Sequence, residues 1–538
     1  MRPIETKINR WDGGMTNLLR GSSMNFARRV QNFDILSDPT KMSPYPDFAT
    51  DTFDAGLSAA TVKLCKYLAA NNSSNDGTIL YGLGVAVGQT YGHVYLKSSV
   101  TGTWVAGAND NGTLNENLFV EYQGRIYLAN ATQINSYSIS AGTINNSAGG
   151  TISVTTSHTD IFQGLVHSKS DILYIPYYTT SSGVIQGYLA SKNGGGAFNI
   201  TALTLPQGMI PIRVREYGNY VIITCKAKNV QSKKSVELMW DQDSSLTTLS
   251  EKIDWGFEQL EFVDELDGLM VGVGRISNTS SETITVRPKL IFKYWAGGST
   301  TAKQFLELPL SSSAINNNST LAWDIQKVDN RILFLASVQI NGTDLPAIWA
   351  IGRKADGTFS VSIDRLINND TAITSCIPKG FLKFGDYYHV AFTDNGTYKA
   401  NVTINGAGTY SSATAIWESV IMGEPYLKFK LMSIGIMTEP LPAAGQITLQ
   451  YAADSNITPP GSSTPTTWTT IFSWSTDDEL FHEAVKIEST AAEFPEFREI
   501  QFRIQSTGGA VVTGFWAQAE QKSSGFVNRL LSVIRGWL

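Results

Sequence analysis

Along the middle of the chain one pattern of apolar and polar positions recurs. An apolar residue is followed by a short polar stretch with Gly, Asp or Asn, and then by four or five β-formers. Copies lie at residues 120–128 around Gly124, 214–223 around Gly218, 262–273 around Asp267 and Gly268, 328–335 around Asn330, and 382–390 around Gly385; residues 166–175 form a less regular one. A turn of this composition between β-forming runs specifies a β-hairpin. A second pair of strand signals follows each copy in residues 187–190, 237–240, 290–295 and 348–351, ahead of turn residues such as Gly194, Asp241, Gly297 and Asp356. Two hairpins make a four-stranded unit, and the turns advance by roughly 46 to 62 residues, the length of a propeller blade with variable loops. With an N-terminal unit at 79–82, 93–96 and 102–104, the pattern predicts an all-β chain with a seven-bladed β-propeller over residues 56–430. Strand and turn spacing alone also fits a series of sandwiches or barrels; alternation of inner and outer hairpins at blade length favours the propeller.

The flanks lack this period. Residues 1–55 carry Trp11, Asp12-Gly13-Gly14, Arg28-Arg29, Asn32-Phe33-Asp34 and then Pro39, Pro44 and Pro46, which reads as an extended N-terminal arm. Trp11, Leu18, Leu19, Phe26 and Phe33 are too apolar for a solvated tail, so the arm is expected to dock on a neighbour or another module. Arg28 and Arg29 would meet phosphate or an acidic subunit surface, or stand as an ordinary solvated pair. Alternation in residues 446–451 and 498–505 predicts an antiparallel β-sandwich over 431–521, with the Pro/Ser/Thr-rich stretch 459–465 as a loop inside it. In the final segment, 522–538, the eight apolar side chains from Phe526 onward fall within an arc of about 160° at 100° per residue, an amphipathic helix. Phe526, Leu530, Leu531, Ile534 and Trp537 would dock it in a protein groove, in preference to a membrane surface.

Composition narrows the function. Among 538 residues, 41 basic and 47 acidic side chains leave a net charge of -6, which argues against bulk electrostatic binding to nucleic acid, and no sequence-specific nucleic-acid partner is expected. Cys65, Cys225 and Cys376 are too few and too far apart for a disulfide framework or a C-x-x-C site and read as small buried hydrophobes. The first residues show no secretory signal and no apolar run approaches the roughly 20 residues of a membrane span, so synthesis in a cytoplasm is expected. Sequons such as Asn72-Ser73-Ser74 then follow from Asn/Ser/Thr-rich loops.

Candidate chemistry is sparse. His93, His158, His167, His389 and His482 show no metal-binding spacing and read as structural histidines. Gly82-x-Gly84 is followed by Gly88, out of step with a dinucleotide fingerprint, and reads as a Gly-rich strand. Two carboxylate clusters, Asp264, Glu265 and Asp267, and Asp477, Asp478 and Glu479, satisfy the residue types of a glycosidase pair, but both lie in turn-like sequence where carboxylates accept backbone N–H bonds. No catalytic residue, metal or cofactor is expected. Trp468, Trp474 and Trp516 either fill the sandwich core or present faces on which a sugar stacks.

The opening Asp12-Gly13-Gly14, the Asn32-Phe33-Asp34 segment with its prolines, the propeller and the sandwich ending in residues 500–504 before Thr513-Gly514-Phe515 together resemble virion structural proteins of tailed bacteriophages. The nearest type is the propeller-based nozzle or neck protein. The resemblance covers nearly the whole chain as architecture through short motifs, and no catalytic residues transfer with it. It implies a non-enzymatic protein of the virion tail or neck, working in copies of itself arranged as a ring and with other virion structural proteins. A carbohydrate-binding or carbohydrate-cleaving receptor protein, with a host glycan as partner, is the alternative.

Overall fold

The computed structural model describes residues 4–8, 10–11, 13–15, 27–53, 62–71, 78–86, 91–99, 102–130, 133–140, 143–145, 151–153, 158–161, 163–227, 236–242, 251–256, 259–276, 289–299, 301–309, 324–328, 330–340, 343–354, 356–367, 376–384, 387–394, 397–403, 414–458, 466–475, 482–487, 494 and 496–522. These residues are β-strand and loop apart from one 3-10 turn at Asp454–Asn456. Two compact units interleave along the chain: one holds Met1–Asp47, Gln339–Asn369 and Ile404–Leu538, the other Phe48–Val338 and Asp370–Thr403. The sequence reading placed borders at residues 55, 430 and 521; the contacts place segments 339–369 and 404–430 with the C-terminal strands instead. Residues 522–538, expected as a helix, lie outside the described residues beyond Lys522.

The second unit is a cycle of antiparallel meanders, the architecture of a β-propeller. Its inner hairpins are Val62–Asn71 with Thr78–Ala86, the end of Val105–Tyr122 with Arg125–Asn130, Leu165–His167 with Ile172–Ser181, Met209–Tyr217 with Tyr220–Ala227, Gln259–Leu266 with Leu269–Ile276, Ile325–Val328 with Arg331–Ile340, and Cys376–Phe384 with Tyr387–Asp394. The turns carry the chemistry that the repeat implied. Gln123 and Gly124 have φ of 51° and 70°, and Asp267 and Gly268 have φ of 49° and 76°, the doubly positive geometry of a tight hairpin that matches strand twist.

Each sheet packs on the next through apolar side chains. Leu118, Tyr127 and Ile134 meet Leu173, Ile175 and Tyr177. Leu189 and Leu203 meet Val214, Ile223 and Trp240. Ile222, Met239 and Ile253 meet Leu260, Val263 and Ile291. Phe262 and Phe292 stand 5.1 and 6.1 Å from Phe334. The next junction is polar: Gln326 donates to the Lys383 carbonyl and accepts from the Lys383 amide, both at 2.6 Å. The cycle closes where Leu80, Tyr95 and Trp104 of the first sheet pack on Ala391 and Ala400 of the last. Each large apolar side chain so buried contributes ~1.5–3 kcal/mol, so no single seam dominates. The outermost strand of the last sheet is Phe48–Thr50, paired antiparallel with Thr397–Thr403, so an early segment seals the end of the cycle.

The first unit is a pair of sheets. One runs in the order Ile4–Ile8, Val512–Lys522, Lys428–Thr438 and His482–Ile487. In the other, Phe359–Leu366, Ala27–Gln31, Ala415–Ser419, Glu499–Thr507, Gln446–Ala453 and Thr469–Trp474 lie side by side. Period-2 alternation explains the packing. The cross-strand row Val30, Trp417, Ile504 and Leu449 is buried, and Trp417 and Phe502 meet Phe515 of the opposite sheet at 6.0 and 5.3 Å. The expected sandwich is therefore present, but the segment read as an arm supplies a strand to each of its sheets.

Candidate functional site

Of the residues expected to meet partners, Trp11, Phe33, Arg28 and Arg29 are described, and all four are engaged within their own unit. Trp11 is 2% exposed and stands edge-on to Trp417 at 5.4 Å, while Phe33 is fully buried. Arg28 donates to the Gln501 side-chain oxygen at 3.3 Å and to the Thr458 carbonyl. Arg29 donates to Gln31 at 2.9 Å and pairs with Glu418 at 3.7 Å. The apolar excess of the segment is thus taken up in its own chain's core, and the guanidinium groups pair within their own sheet. Leu18, Leu19, Phe526, Leu530, Leu531, Ile534 and Trp537 lie outside the described residues.

The carboxylates follow the structural reading where they are described. Glu265 accepts the Gly268 amide at 2.5 Å and pairs with Lys327, Asp264 faces Arg215 at 3.7 Å, and Asp267 occupies the positive-φ turn. These are turn and seam contacts, with each carboxylate turned to a different neighbour. Asp477, Asp478 and Glu479 lie outside the described residues. Cys225 is buried and Cys376 half-buried; burial pushes the Cys225 thiol up and Cys376 up to about 12, the wrong direction for a nucleophile. Among the described residues no group of three or more His, Cys, Asp or Glu could hold a metal ion.

Two polar networks that sequence reasoning missed are built at seams of the propeller. The first surrounds His167. The Gln242 amide nitrogen donates to the Asn219 carbonyl at 2.8 Å, which fixes the orientation of that amide, and it also lies 3.0 Å from His167 Nε2. His167 Nδ1 lies 3.1 Å from Ser170 Oγ and accepts the Ser170 amide at 3.4 Å. Ser170 in turn donates to Gln242 Oε1 at 2.8 Å, and Glu216 caps the turn through Ser168. The Ser, His and Glu of this cluster imitate a nucleophile arrangement, but the Ser170 hydroxyl donates to Gln242 Oε1 and is directed away from the imidazole. It is a hydrogen-bonded seam between two successive sheets.

The second network closes the cycle. Asp51 follows the sealing strand, and its amide donates to the Ala400 carbonyl at 2.8 Å. One carboxylate oxygen is paired with Lys97 Nζ of the first sheet; the other accepts Trp104 Nε1 at 2.7 Å and His389 Nδ1 of the last sheet at 3.3 Å. All these side chains are at most 1% exposed. Burial raises the Asp51 carboxyl, but the hydrogen bond from His389 and the charge of Lys97 outweigh it and hold the pKa below the ordinary value. Burial dominates at His389 and lowers its pKa, which keeps the ring neutral.

A polar row runs along one face of the second sandwich sheet. Arg29 lies opposite Glu418, Glu418 opposite Arg503, and Arg503 opposite Gln450. A register shift between Ala27 and Arg29 adds Arg28 to the same neighbourhood. Arg29 and Arg503 both pair with Glu418 at 3.7 Å, and burial lowers the pKa of all three arginines, with Glu418 acting in the opposite sense. Arg503 stacks on half-buried Trp468 with 5.4 Å to the ring centroid. Toward the sheet edge the row becomes a ladder of amides and hydroxyls. Gln446 donates to Ser473 at 2.7 Å, Thr448 bonds Ser473 at 2.9 Å, and Gln450 donates to Thr470 at 3.2 Å. Of the three tryptophans, Trp474 lies opposite Ile447 and Trp516 lies across from Gly435, where a Cβ would come within 2.4 Å of the indole nitrogen. All three are half-buried, and Trp468, the one stacked on by Arg503, sits with the polar row.

No family model matches the chain, and no curated protein matches it. Among solved structures, an exo-β-1,3-galactanase from Phanerochaete chrysosporium with bound galactose is 10% identical over 88% of this chain and 100% of its own, with a TM-score of 0.28. A Trypanosoma rangeli sialidase in complex with sialic acid is 9% identical over 96% of each chain, with a TM-score of 0.35. An oligogalacturonate lyase in complex with manganese is 9% identical over 65% of this chain and 99% of its own, with a TM-score of 0.39.

Proposed function

We propose that this chain is a structural protein of a tailed-bacteriophage virion, a seven-bladed propeller joined to a sandwich, that forms a ring or platform at the tail or neck with copies of itself and other virion proteins. The observation that carries the reading is how the N-terminal segment is used. Ile4–Ile8 and Ala27–Gln31 are strands of the sandwich, Phe48–Thr50 is the sealing strand of the propeller, and Asp51 ties its first and last sheets. Such closure resists opening under load, which suits a conduit wall or platform more than a mobile binding arm. Of the groups that sequence suggested for chemistry, Asp264 and Glu265 are engaged in turn and seam contacts, which supports a non-catalytic role for that cluster. Mapping the chain in intact particles by cryo-electron microscopy tests this: a ring on the tail axis is expected, and absence from the particle refutes it.

One observation favours a second reading, a carbohydrate-binding surface. The half-buried Trp468 beside Arg503, with the Gln446, Thr470 and Ser473 ladder, offers the aromatic face and hydrogen-bonding groups that sugars use. Incubation with host surface polysaccharide separates the readings. Binding lost on Trp468→Ala supports the glycan reading, and release of reducing ends that disappears on Asp267→Ala would overturn the non-catalytic one.

A further inference from the structure

An open cleft of about 50 Å³ enters the sandwich between its two sheets, lined by Phe429, Leu431, Phe497, Phe502, Ala517 and Ala519 with others of like character. Its lining is almost wholly apolar, and an ordered water needs two to four polar partners, so the cleft suits the end of an apolar side chain. The turn that joins two of its lining strands holds Tyr426, 93% exposed, and Leu427, 39% exposed, two of the three exposed large hydrophobic residues among those described. Both stand in the chain between Gly423 and Phe429, which line the cleft, and exposed apolar residues beside an apolar cleft point to an apolar occupant.

We infer that the occupant is the C-terminal segment of the same chain, residues 526–538. The strand Val512–Lys522 ends at this mouth: Ala519 lies opposite Leu431, Gln521 opposite Phe429, and Lys522 opposite Lys428. Sixteen residues remain after Lys522. The first three, Ser523, Ser524 and Gly525, are turn formers that let the chain reverse. Phe526 is four residues from Lys522, a reach of at most ~14 Å, while Ala519 lies only ~10 Å back along the strand. Phe526 is therefore the first apolar side chain able to return to the cleft. The stripe behind it, including Leu530, Leu531, Ile534 and Trp537, then covers Tyr426 and Leu427. An isolated helix of this length is marginal in water, so the sequence pattern requires a surface of this kind.

Hydrogen exchange on the full chain tests the inference. Amides of residues 527–538 are expected to exchange at least tenfold more slowly than in the free peptide 523–538, and the protection is expected to be lost in Ala519→Phe, which fills the cleft, and in Phe526→Asp, which lies outside the described sheets. Phe526→Leu restores it. Exchange equal to that of the free peptide, protection unchanged in Phe526→Asp, protection that grows with protein concentration, or protection seen only with anionic phosphatidylserine vesicles would each overturn it, the last two in favour of a second copy or a membrane surface.

Discussion

Removing the Asp51 carboxylate should open the propeller at its seam. Asp51 is fully buried, and its two oxygens hold Lys97 of the first sheet and Trp104 and His389 at the closure. Asp51→Ala leaves the Lys97 ammonium, itself 1% exposed, without its counter-charge in a dry seam. Loss of one partner of a buried pair costs ~3–5 kcal/mol, mostly from the orphaned charge. The hydrogen bonds to Trp104 and His389 are part of that figure, since effects within one network do not add. For a unit of this size each kcal/mol lowers Tm by roughly 1.5–2 °C, so a fall of ~5–10 °C is expected. Calorimetry on Asp51→Ala, Lys97→Met and the double variant is the assay. The double variant should be less destabilised than the sum of the singles by at least ~1.5 kcal/mol, because neither charge is then buried alone. Additive effects, or an Asp51→Ala variant within ~1 kcal/mol of wild type, would refute the assignment of the clasp.

Other outcomes follow from the same buried groups. Burial raises Glu237 to about 8 despite its hydrogen bond from Thr224 and the nearby Arg215 and Arg213, so the folded state retains a proton that the unfolded chain releases near pH 4.5. Its contribution is present below that pH and lost as pH rises toward 8; Glu237→Gln should flatten this decline in thermal melts and raise Tm at pH 8. The lowered pKa of His389 works in the other direction: the neutral ring stabilises the fold above about pH 6.5, and this contribution is lost as pH falls, so a shallower acid limb is expected in His389→Gln melts. Phe515→Ala removes the ring against which Trp417 and Phe502 pack, and a loss of ~3–5 kcal/mol in denaturant unfolding is expected. Glu418→Gln leaves Arg29 and Arg503 facing each other without their shared carboxylate, and the variant should regain stability when sulfate is added, which a merely steric defect would not do.

The propeller was legible because its information is local. Each hairpin is written within about ten residues by a turn that demands positive φ, and the turns at Gly124 and at Asp267-Gly268 have that geometry. The sandwich strands Gln446–Ala453 and Glu499–Thr507 were legible from period-2 alternation for the same reason. What was illegible depends on distance. Asp51 lies 46 residues from Lys97 and 338 from His389, and Arg28 lies 473 from Gln501. No periodicity records such meetings. For the N-terminal segment the apolar residues signalled docking on a neighbour or another module, and the strands Ile4–Ile8 and Ala27–Gln31 join sheets of the same chain, a choice that no local pattern records.

The two charged clusters also differ in a way that ranks them as places for function. At the Asp51 clasp, where every side chain is at most 1% exposed, one carboxylate meets one ammonium and a neutral imidazole, so the seam carries no net charge. Desolvation leaves little choice, because an unbalanced charge at that depth costs several kcal/mol. In the sandwich row Arg29 and Arg503 both pair with Glu418, and they keep 12% and 17% of their side-chain surface in contact with solvent. Two cations beside one carboxylate are sustainable there because water still reaches them. The same accessibility lets an anionic or hydroxyl-rich ligand replace that water. Solvent thus reaches the Arg29 and Arg503 guanidinium groups of the sandwich sheet, while the charges of the clasp are fully buried.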